Sequence, residues 1–361
     1  MEGRAEGDTT MTLEEIKIRQ LTNQHLIAPT DKLSVVRDLC GLQAQILAYA
    51  LHALKIRTND YEEATVQNGM VKNWTIRGTV HIFAESDLPL FIHCNNGALY
   101  RSHDWRVPSW WNQRSDWSLT PERQHYFSEI ILESLKSSTH TREELKAICK
   151  SHGMTEAEAD SMFHAWGGGI RELCERGFIN YAVTEKKEYC LAPAFMPMPE
   201  EKANLEIARR YFTHMAPATI KDAAYFLHAT QTQVKAWLSA LPVQSVQLNG
   251  KTYFYIENGL RYDRDIPDCI FLAGFDQLML GYEKKESLYL KQEHLRGIFN
   301  LAGMVMPPVL LHGTVAGRWK KKNGKLIIEL FSHVSEDDRR ILKNKAEALW
   351  ADVNSIEMME R

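Results

Sequence analysis

Before residue 262 the chain repeats one plan three times: three helical stretches followed by a short β-hairpin. The third hairpin is the clearest, because Asn249-Gly250 joins two β-rich runs and this dipeptide is the strongest short hairpin signal. Three helices with a hairpin at their side form a winged helix, a relative of the helix-turn-helix motif. The plan predicts an α+β fold, mainly α, with three tandem winged-helix units followed by a β-rich C-terminal domain.

The unit boundaries follow from cap residues and from changes in the spacing of apolar residues along the chain. Residues 1–10 are polar, lack the apolar segment of a signal peptide and are expected to form a disordered tail. We assign 11–118 to the first winged helix, 119–200 to the second, 201–262 to the third and 263–361 to a β-rich C-terminal domain with a terminal helix.

Apolar spacing and cap candidates place the individual elements. Thr12, Thr141 and Thr230 are expected to begin helices. The other predicted helices include one that starts at Asp31, and those at 48–56, 125–135, 156–176, 205–214, 220–228 and 338–353. The predicted strands and hairpin segments are 74–83, 178–183, 188–191, 244–248, 252–256, 270–282, 309–319 and 326–331.

Composition and charge exclude several classes of protein. No apolar run approaches the roughly 20 residues that a membrane span needs, so no membrane association is expected. The six cysteines stand at least sixteen residues apart, which excludes a CxxC motif and fits a reduced cytoplasm. The net charge of −3 argues against a protein that coats DNA nonspecifically, although the uneven distribution of charge along the chain permits a basic face.

The motifs of common hydrolases and nucleotide-binding enzymes are absent from the sequence. There is no HExxH or GxSxG, and the run from Gly167 to Gly169 lacks the Gly-Lys-Ser/Thr that completes a phosphate loop. We interpret that run as a break in a helix. The fourteen histidines show no metal-ligand spacing, so we expect no metal and no cofactor.

Gln43 and Gln45 form the most distinctive polar pair of the first unit. Side chains two positions apart diverge on a helix but share a side in an extended segment. The two amides can therefore act together only if the helix from Asp31 ends near Leu42, which Gly41 favours. Taken alone, the pair is more simply interpreted as two surface amides.

Four short segments are informative as an ordered set. They are Gly41-Leu-Gln-Ala-Gln45, Arg77-Gly-Thr-Val-His81, Gly274-Phe-Asp-Gln-Leu-Met-Leu-Gly-Tyr282 and Pro308-Val-Leu-Leu-His-Gly-Thr-Val-Ala-Gly-Arg-Trp319. Together they resemble the winged-helix DNA glycosylases that excise bulky N7-alkylated guanines and unhook crosslinks. The resemblance extends over nearly the whole chain from about residue 11. Leu47 departs from it, because many relatives have a proline at this position.

The resemblance implies that Gln43 and Gln45 are catalytic and that the partner is duplex DNA with N7-alkylguanine lesions. Alkylation makes the base cationic, so it leaves as a neutral molecule through an oxocarbenium-like transition state. Such a bond needs a water that is placed and oriented, not one that is fully deprotonated. No lysine or N-terminal proline stands in a nucleophile role beside the motif, so we expect a monofunctional glycosylase without strand cleavage.

Further candidate DNA contacts fall into two groups. Arg77, Thr79 and His81 would contact the phosphates or the lesion sugar. The alternatives are a local ion pair for Arg77 and a buried hydrogen bond for His81. The second group lies around a predicted hairpin tip and is either a solvated turn or a phosphate contact. Its members are Arg318, Lys320, Lys321, Lys322 and Lys325.

The aromatic segment 105–111 is interpreted as packing between units rather than as a base-stacking platform. Two other functions stay open: a non-catalytic winged-helix DNA-binding regulator and a protein-interaction scaffold. Specific binding to an undamaged operator would favour the regulator, and failure to bind any duplex at low salt would favour the scaffold. We expect a monomer, because tandem units present a concave surface without a partner.

Overall fold

The computed structural model describes residues 10–59, 61–75, 77–92 and 111–360. It combines helices with β-sheets, which confirms the mixed helix-and-strand class expected from the sequence. Within these described ranges, no helix is both long enough and apolar enough to cross a membrane. Most of the predicted tail and residues 105–110 of the aromatic segment fall outside the described residues.

Contacts divide the chain into two compact units that alternate along the sequence. Unit 1 comprises residues 1–42, 49–61 and 208–361, and unit 2 comprises 43–48 and 62–207. Each unit thus assembles segments that are distant in sequence. The three winged-helix units and the separate C-terminal domain stay predictions.

Short polar side chains begin many of the helices. Thr12, Thr141 and Thr230 each close a capping box with the residue three positions on, which confirms three predicted helix starts. The described α-helices are α1 (Leu13–Asn23), α2 (Lys32–Asp38), α3 (Leu47–Lys55), α4 (Leu88–Phe91), α5 (Pro121–Ser134), α6 (Arg142–Ser151), α7 (Glu156–Met162), α8 (Gly168–Glu175), α9 (Glu200–His214), α10 (Ile220–Leu227), α11 (Gln231–Ser239), α12 (Gln277–Leu280), α13 (Leu295–Ile298) and α14 (Glu336–Leu349).

Two predicted elements are each divided in the structure. The expected helix over 156–176 is wrong as one element, because Gly167, just before α8, and Gly168, its first residue, adopt φ angles of +151° and +68°. The glycine run is a helix break, as predicted. The segment 74–83, expected to be a wing or hairpin strand, contains the turn of a hairpin: one strand ends at Trp74, Gly78 adopts φ +64°, and the next strand begins at Val80.

Among the described residues the strands form three sheets, with orders β1-β3-β2-β5-β6-β4, β13-β12-β11-β10-β9 and β7-β8. Hairpins β2–β3 and β5–β6, expected to belong to different units, are neighbours in the first sheet, where Lys72 lies opposite Tyr181. The strands are β1 (Leu42–Gln43), β2 (Met70–Trp74), β3 (Val80–Ala84), β4 (His140–Thr141), β5 (Ile179–Tyr181), β6 (Glu188–Leu191), β7 (Gln244–Leu248), β8 (Lys251–Tyr255), β9 (Cys269–Phe271), β10 (Pro308–Leu311), β11 (Thr314–Lys322), β12 (Lys325–Leu330) and β13 (Ser355–Glu360).

The C-terminal part of unit 1 is built on the five-stranded sheet. Leu342 and Ala346 of α14 share a buried apolar cluster with Leu326, Ile328 and Leu330 of β12. The expected terminal helix is present but does not close the chain. It ends at Leu349, and β13 then adds to the sheet parallel to β12 because its alternate residues pack on the same apolar cluster.

Candidate active site

The segment that leads to Gln43 leaves its helix through a left-handed turn. Helix α2 ends at Asp38, four residues before the expected end near Leu42. Cys40 adopts φ +55° and Gly41 φ +86°, and the Gly41 N–H donates to the Val36 carbonyl over 2.7 Å. This is the Schellman pattern with cysteine, instead of glycine, in the left-handed position. The turn frees the next residues to become strand β1.

A buried glutamine from the distant segment 274–282 holds this turn. The Gln277 amide nitrogen donates to the carbonyl oxygens of Leu39 and Gly41, and the side chain is fully buried. Its neighbour Asp276 caps α12 and accepts two hydrogen bonds, of 3.0 and 2.7 Å, from the fully buried Arg57. Sequence reasoning missed this support, although two polar residues inside an apolar segment were a usable signal.

Gln43 and Gln45 form a hydrogen-bonded pair in unit 2. Strand β1 and the Ala44 N–H, which donates to the Val80 carbonyl over 2.8 Å, keep the backbone extended. Both side chains therefore share one side, and the Gln43 amide nitrogen donates to the Gln45 amide oxygen over 2.9 Å. Gln43 is buried, with 6% exposure, whereas Gln45 is exposed.

The departure at Leu47 has a simple structural explanation. Leu47 is the first residue of α3. A proline is well tolerated at a first helical position, because its missing N–H would have no intrahelical partner there. Leucine and proline therefore both suit this position, and the leucine is compatible with the observed Gln43–Gln45 geometry.

Gln45 lines an open cleft of about 760 Å³ within unit 2. A smaller cavity of about 240 Å³ elsewhere in unit 2 contains none of the predicted site residues. The cleft lining is rich in aromatic and cationic side chains. It consists of Ala44, Gln45, Ile46, Leu47, Lys72, Trp74, Val80, Arg142, Ala165, Trp166, Gly167, Tyr181, Glu185, Lys187 and Tyr189.

The cations of the cleft come from positions that sequence reasoning did not single out. Lys72 projects from β2 and donates from Nζ to the Thr184 carbonyl over 3.2 Å, and burial lowers the pKa of its ammonium group. Arg142 donates to the carbonyl oxygens of Phe163 and His164. No local spacing could have linked these residues to Gln45, because only the folded sheet and the loop before α8 bring them to one cleft.

The predicted contacts Arg77, Thr79 and His81 lie at the β2–β3 hairpin. Arg77 and Thr79 are half-buried in its turn. His81 is fully buried, and its Nδ1 lies 2.8 Å from Thr75 Oγ1 and 3.0 Å from the Thr79 carbonyl oxygen. The His81 ring therefore ties the turn to β3, and a direct DNA contact by this side chain would require the hairpin to open.

The second group of predicted DNA contacts, five cations around a predicted hairpin tip, lies on β11 and β12 in unit 1, around a turn at Asn323-Gly324. Their charges are largely paired. Arg318 donates twice to Glu329, over 2.9 and 2.6 Å. Lys321 pairs with Asp352 at 2.5 Å and Lys325 with Glu357 at 2.6 Å, while Lys320 and Lys322 are exposed.

One described cluster brings potential metal ligands together. His25, Asp38 and His214 place three such atoms within 4.8 Å of one another. The Asp38 carboxylate lies 2.8 Å from His25 Nε2, a distance typical of a hydrogen bond, and 3.3 Å from His214 Nε2. Burial lowers the pKa of His214 to about 4. The cluster is explained as one carboxylate shared by two histidine rings, and its wide sequence separation hid it from spacing arguments.

Comparison with known proteins agrees with the expected resemblance. A family model described as DNA glycosylase AlkZ-like matches residues 36–351. An interstrand DNA cross-link repair glycosylase of Streptomyces sahachiroi is 25% identical over 321 residues, which cover 82% of this chain and 84% of that protein. The solved structure of Streptomyces sahachiroi DNA glycosylase AlkZ shares the fold, with a TM-score of 0.77 and 20% identity, over 98% of this chain and 100% of that one.

Proposed function

Since this chain belongs to the AlkZ-like DNA glycosylase family, we propose that it hydrolyses the N-glycosidic bond of N7-alkylated guanine in duplex DNA. The proposal extends to the crosslinks that such lesions form, because a curated relative is named as an interstrand cross-link repair glycosylase. In this proposal the protein acts as a monomer, and Gln43 and Gln45 position the attacking water.

The observation that carries this proposal is the hydrogen-bonded glutamine pair at the edge of an open cleft. The two glutamines have different surroundings, which suggests different roles. The buried Gln43 fixes the orientation of the Gln45 amide, and the exposed Gln45 presents that amide to the cleft. An amide oxygen has two lone pairs, so the Gln45 oxygen can accept from a water while it accepts from Gln43.

The chemistry asked of this pair is modest. An N7-alkylated base leaves readily because departure removes its positive charge, and the sugar develops oxocarbenium character. A water held beside the sugar carbon then needs orientation more than deprotonation. An unalkylated guanine lacks the positive charge and should be left intact. The open cleft also leaves room for bulky adducts, which a closed base-flipping pocket would exclude.

The proposed enzyme is monofunctional, and Lys72 makes this point testable. Lys72 lines the same cleft as Gln45, and burial lowers the pKa of its ammonium group, so its amine is the group most able to attack the sugar. Its hydrogen bond to Thr184 favours a structural role instead. Borohydride should therefore trap no covalent DNA adduct, and a trapped adduct that is absent in Lys72→Met would show lyase chemistry.

The decisive experiment is a single-turnover assay on duplex DNA with one N7-methylguanine. Gln43→Ala and Gln45→Ala should each slow release of the free base by about ten- to a thousandfold. Gln67→Ala is the matched control, because Gln67 is an exposed glutamine of the same unit whose side chain donates to the nearby Ala64 carbonyl. This control should keep the wild-type rate.

Three other outcomes would change the conclusion. Release that persists in both glutamine variants would keep the activity but place the active site elsewhere. Binding of damaged and undamaged duplex without any release, for methyl and bulkier adducts alike, would favour a non-catalytic regulator. Strand cleavage without heat or alkali would contradict the monofunctional assignment.

A further inference from the structure

Trp166 is far more exposed than a tryptophan usually is. Its relative exposure is 81%, and it lines the cleft that also contains the exposed Gln45. Ile46, with 38% exposure, lies on the same cleft. Large apolar side chains in water forgo the burial that normally stabilises them, so two of them beside one polar pair indicate a binding surface.

The loop that carries Trp166 is held in place. Arg142 donates to the Phe163 and His164 carbonyl oxygens over 3.2 and 2.6 Å. The Trp166 N–H donates to His164 Nδ1 over 3.2 Å, and Arg171 donates to the Trp166 carbonyl. The backbone is therefore fixed from both sides while the indole ring stays in solvent. Because the loop backbone is already ordered, a ligand that contacts the ring does not have to order the loop on binding.

Glycine makes this loop possible. Gly167 adopts φ +151°, and a Cβ atom there would lie 2.5 Å from the buried Trp111 ring. Only glycine can hold the chain so close to Trp111 in this conformation. The exposure of Trp166 thus follows from a constrained backbone. Met196 of the same unit is equally exposed, at 83%, but it does not line the cleft.

The remaining cleft surface suits a flat ring attached to a phosphate backbone. Trp74, Tyr181 and Tyr189 add planar apolar surface to the lining. The Arg171 guanidinium lies 3.5 Å from the centroid of the Trp74 ring, and Tyr181 packs against Tyr189. The exposed Lys187 can contact a phosphate. A nucleobase attached to its phosphate backbone matches this combination of aromatic faces and a peripheral cation.

We propose that the Trp166 indole stacks on a nucleobase of the damaged duplex, with Ile46 completing the apolar surface, and so holds the alkylated nucleotide beside Gln45. This inference rests on the proposed glycosylase function and adds a substrate-binding residue to it. Stacking tolerates any base and needs no enclosed pocket. A bulky alkyl group can then extend into the open part of the cleft.

The test compares Trp166→Ala, Trp166→Phe and the matched control Met196→Ala. Binding is measured by fluorescence anisotropy on a duplex with one 2′-fluoro N7-methylguanosine, because the electron-withdrawing fluorine disfavours the oxocarbenium-like transition state. Single-turnover release is measured on the ordinary N7-methylguanine duplex over a range of protein concentrations. Thermal unfolding of each variant verifies that the fold is intact.

Loss of a stacked ring should weaken DNA binding by about five- to a hundredfold in Trp166→Ala. Trp166→Phe should restore most of the affinity, since phenylalanine retains an aromatic face. Met196→Ala should bind as the wild type does. The half-saturating protein concentration for base release should rise with the dissociation constant, which a purely structural role of Trp166 would not produce.

The possible failures are distinguishable. If the wild type releases 7-methylguanine and Trp166→Ala behaves like Met196→Ala, the glycosylase function stands and the stacking role is overturned. If the wild type releases no base but Trp166→Ala still weakens DNA binding, the proposed function fails and stacking stands. If the wild type binds no duplex at low salt, both are overturned and the cleft is a site for another ligand.

Discussion

Two surfaces carry the candidate DNA contacts, and they differ in what their side chains already bind. At the hairpin around Gly324, Arg318, Lys321 and Lys325 are each paired with a carboxylate. At the cleft beside Gln43, the Trp166 ring and the Gln45 amide are exposed. A run of cations in a sequence is therefore not a count of the charges available to a phosphate.

The difference has a direct energetic reason. A lysine or arginine that contacts a phosphate must first leave its carboxylate partner, which reduces the net gain of the new contact. An exposed aromatic ring or amide exchanges only water. We therefore expect substitutions at the cleft to change substrate binding and rate, and substitutions at the hairpin to change mainly the free energy of unfolding.

The largest expected effect is on the free energy of unfolding, when a glycine of the cleft loop or of the hairpin turn is replaced by alanine. A Cβ atom on Gly168, at the start of α8 beside the cleft loop, would meet the backbone oxygen of Ser161, and its φ is +68°. Gly168→Ala should lower the free energy of unfolding by more than about 3 kcal/mol. At Gly324 the nearest atom belongs to the Asn354 side chain, which can move, so Gly324→Ala should lower it by only about 1–2 kcal/mol. Urea unfolding measures both, and a loss in Gly168→Ala as small as that expected for Gly324→Ala would show that the cleft loop is not constrained.

Acid should weaken the region behind the hairpin. His52 stacks on Trp350 and meets the edge of Trp319, which belongs to hairpin strand β11. Burial lowers the pKa of His52 from 6.5 to about 4, so the folded protein keeps it neutral where the unfolded chain binds a proton. The free energy of unfolding is therefore unaffected by the titration of His52 above pH 6.5, and it decreases as the pH falls toward 4, by up to about 3 kcal/mol.

Urea unfolding at pH 7, 5 and 4 measures this loss. The matched variant His52→Gln has no titratable group but keeps an amide that can donate to the Phe271 carbonyl, as His52 Nε2 does over 2.8 Å. Its unfolding free energy should depend less on pH over this interval. An unchanged pH dependence in the variant would rule out His52 as the cause.

A smaller effect should follow from breaking the strongest pair of the hairpin. Arg318→Ala removes two hydrogen bonds to Glu329 and one to the Gly297 carbonyl, and both charged partners are less than a quarter exposed. We expect a loss of about 1–3 kcal/mol in unfolding free energy and an unchanged rate of base release. The exposed Lys320 provides the control, because Lys320→Ala should alter neither. A rate that falls with stability unchanged would show that Arg318 contacts the substrate.

The smallest expected effect concerns the salt dependence of DNA binding. Lys187→Met at the cleft should reduce the slope of log affinity against log salt by about 0.9, with an affinity loss of about two- to tenfold. Lys321→Met at the hairpin should leave the slope unchanged, because the Lys321 ammonium group is already paired with Asp352. Anisotropy titrations between 50 and 200 mM salt, values at which such slopes are resolved, provide the measurement. A reduced slope in both variants would mean that both surfaces touch phosphates.

Much of the local structure was predictable because it depends on neighbours in sequence. Thr12, Thr141 and Thr230 begin helices as expected, since a capping box needs only the residue three positions on. Asn249-Gly250 forms the expected hairpin with both residues at positive φ. The resemblance to a DNA glycosylase family was also predictable, because it rests on the order of four motifs and is confirmed by a family match over 36–351.

The candidate site was predictable only in part. The shared side of Gln43 and Gln45 follows from a local extended backbone, which short-range reasoning can reach. Trp166 and Lys72 stand far from Gln45 in sequence, so no spacing argument could assign them to its cleft. Gln277, which holds the preceding turn, likewise acts across more than two hundred residues.

Where helices and turns begin, which motifs follow one another and that two amides could face the same side can all be read from the amino-acid sequence alone. Caps, turns and pleated strands depend on interactions within a few residues, so they are encoded locally. The tertiary structure decided that two hairpins join one sheet and that Asp352 and Glu357 pair the hairpin lysines. It also decided that an exposed tryptophan shares a cleft with Gln45, because such contacts join segments whose meeting depends on the packing of the folded chain.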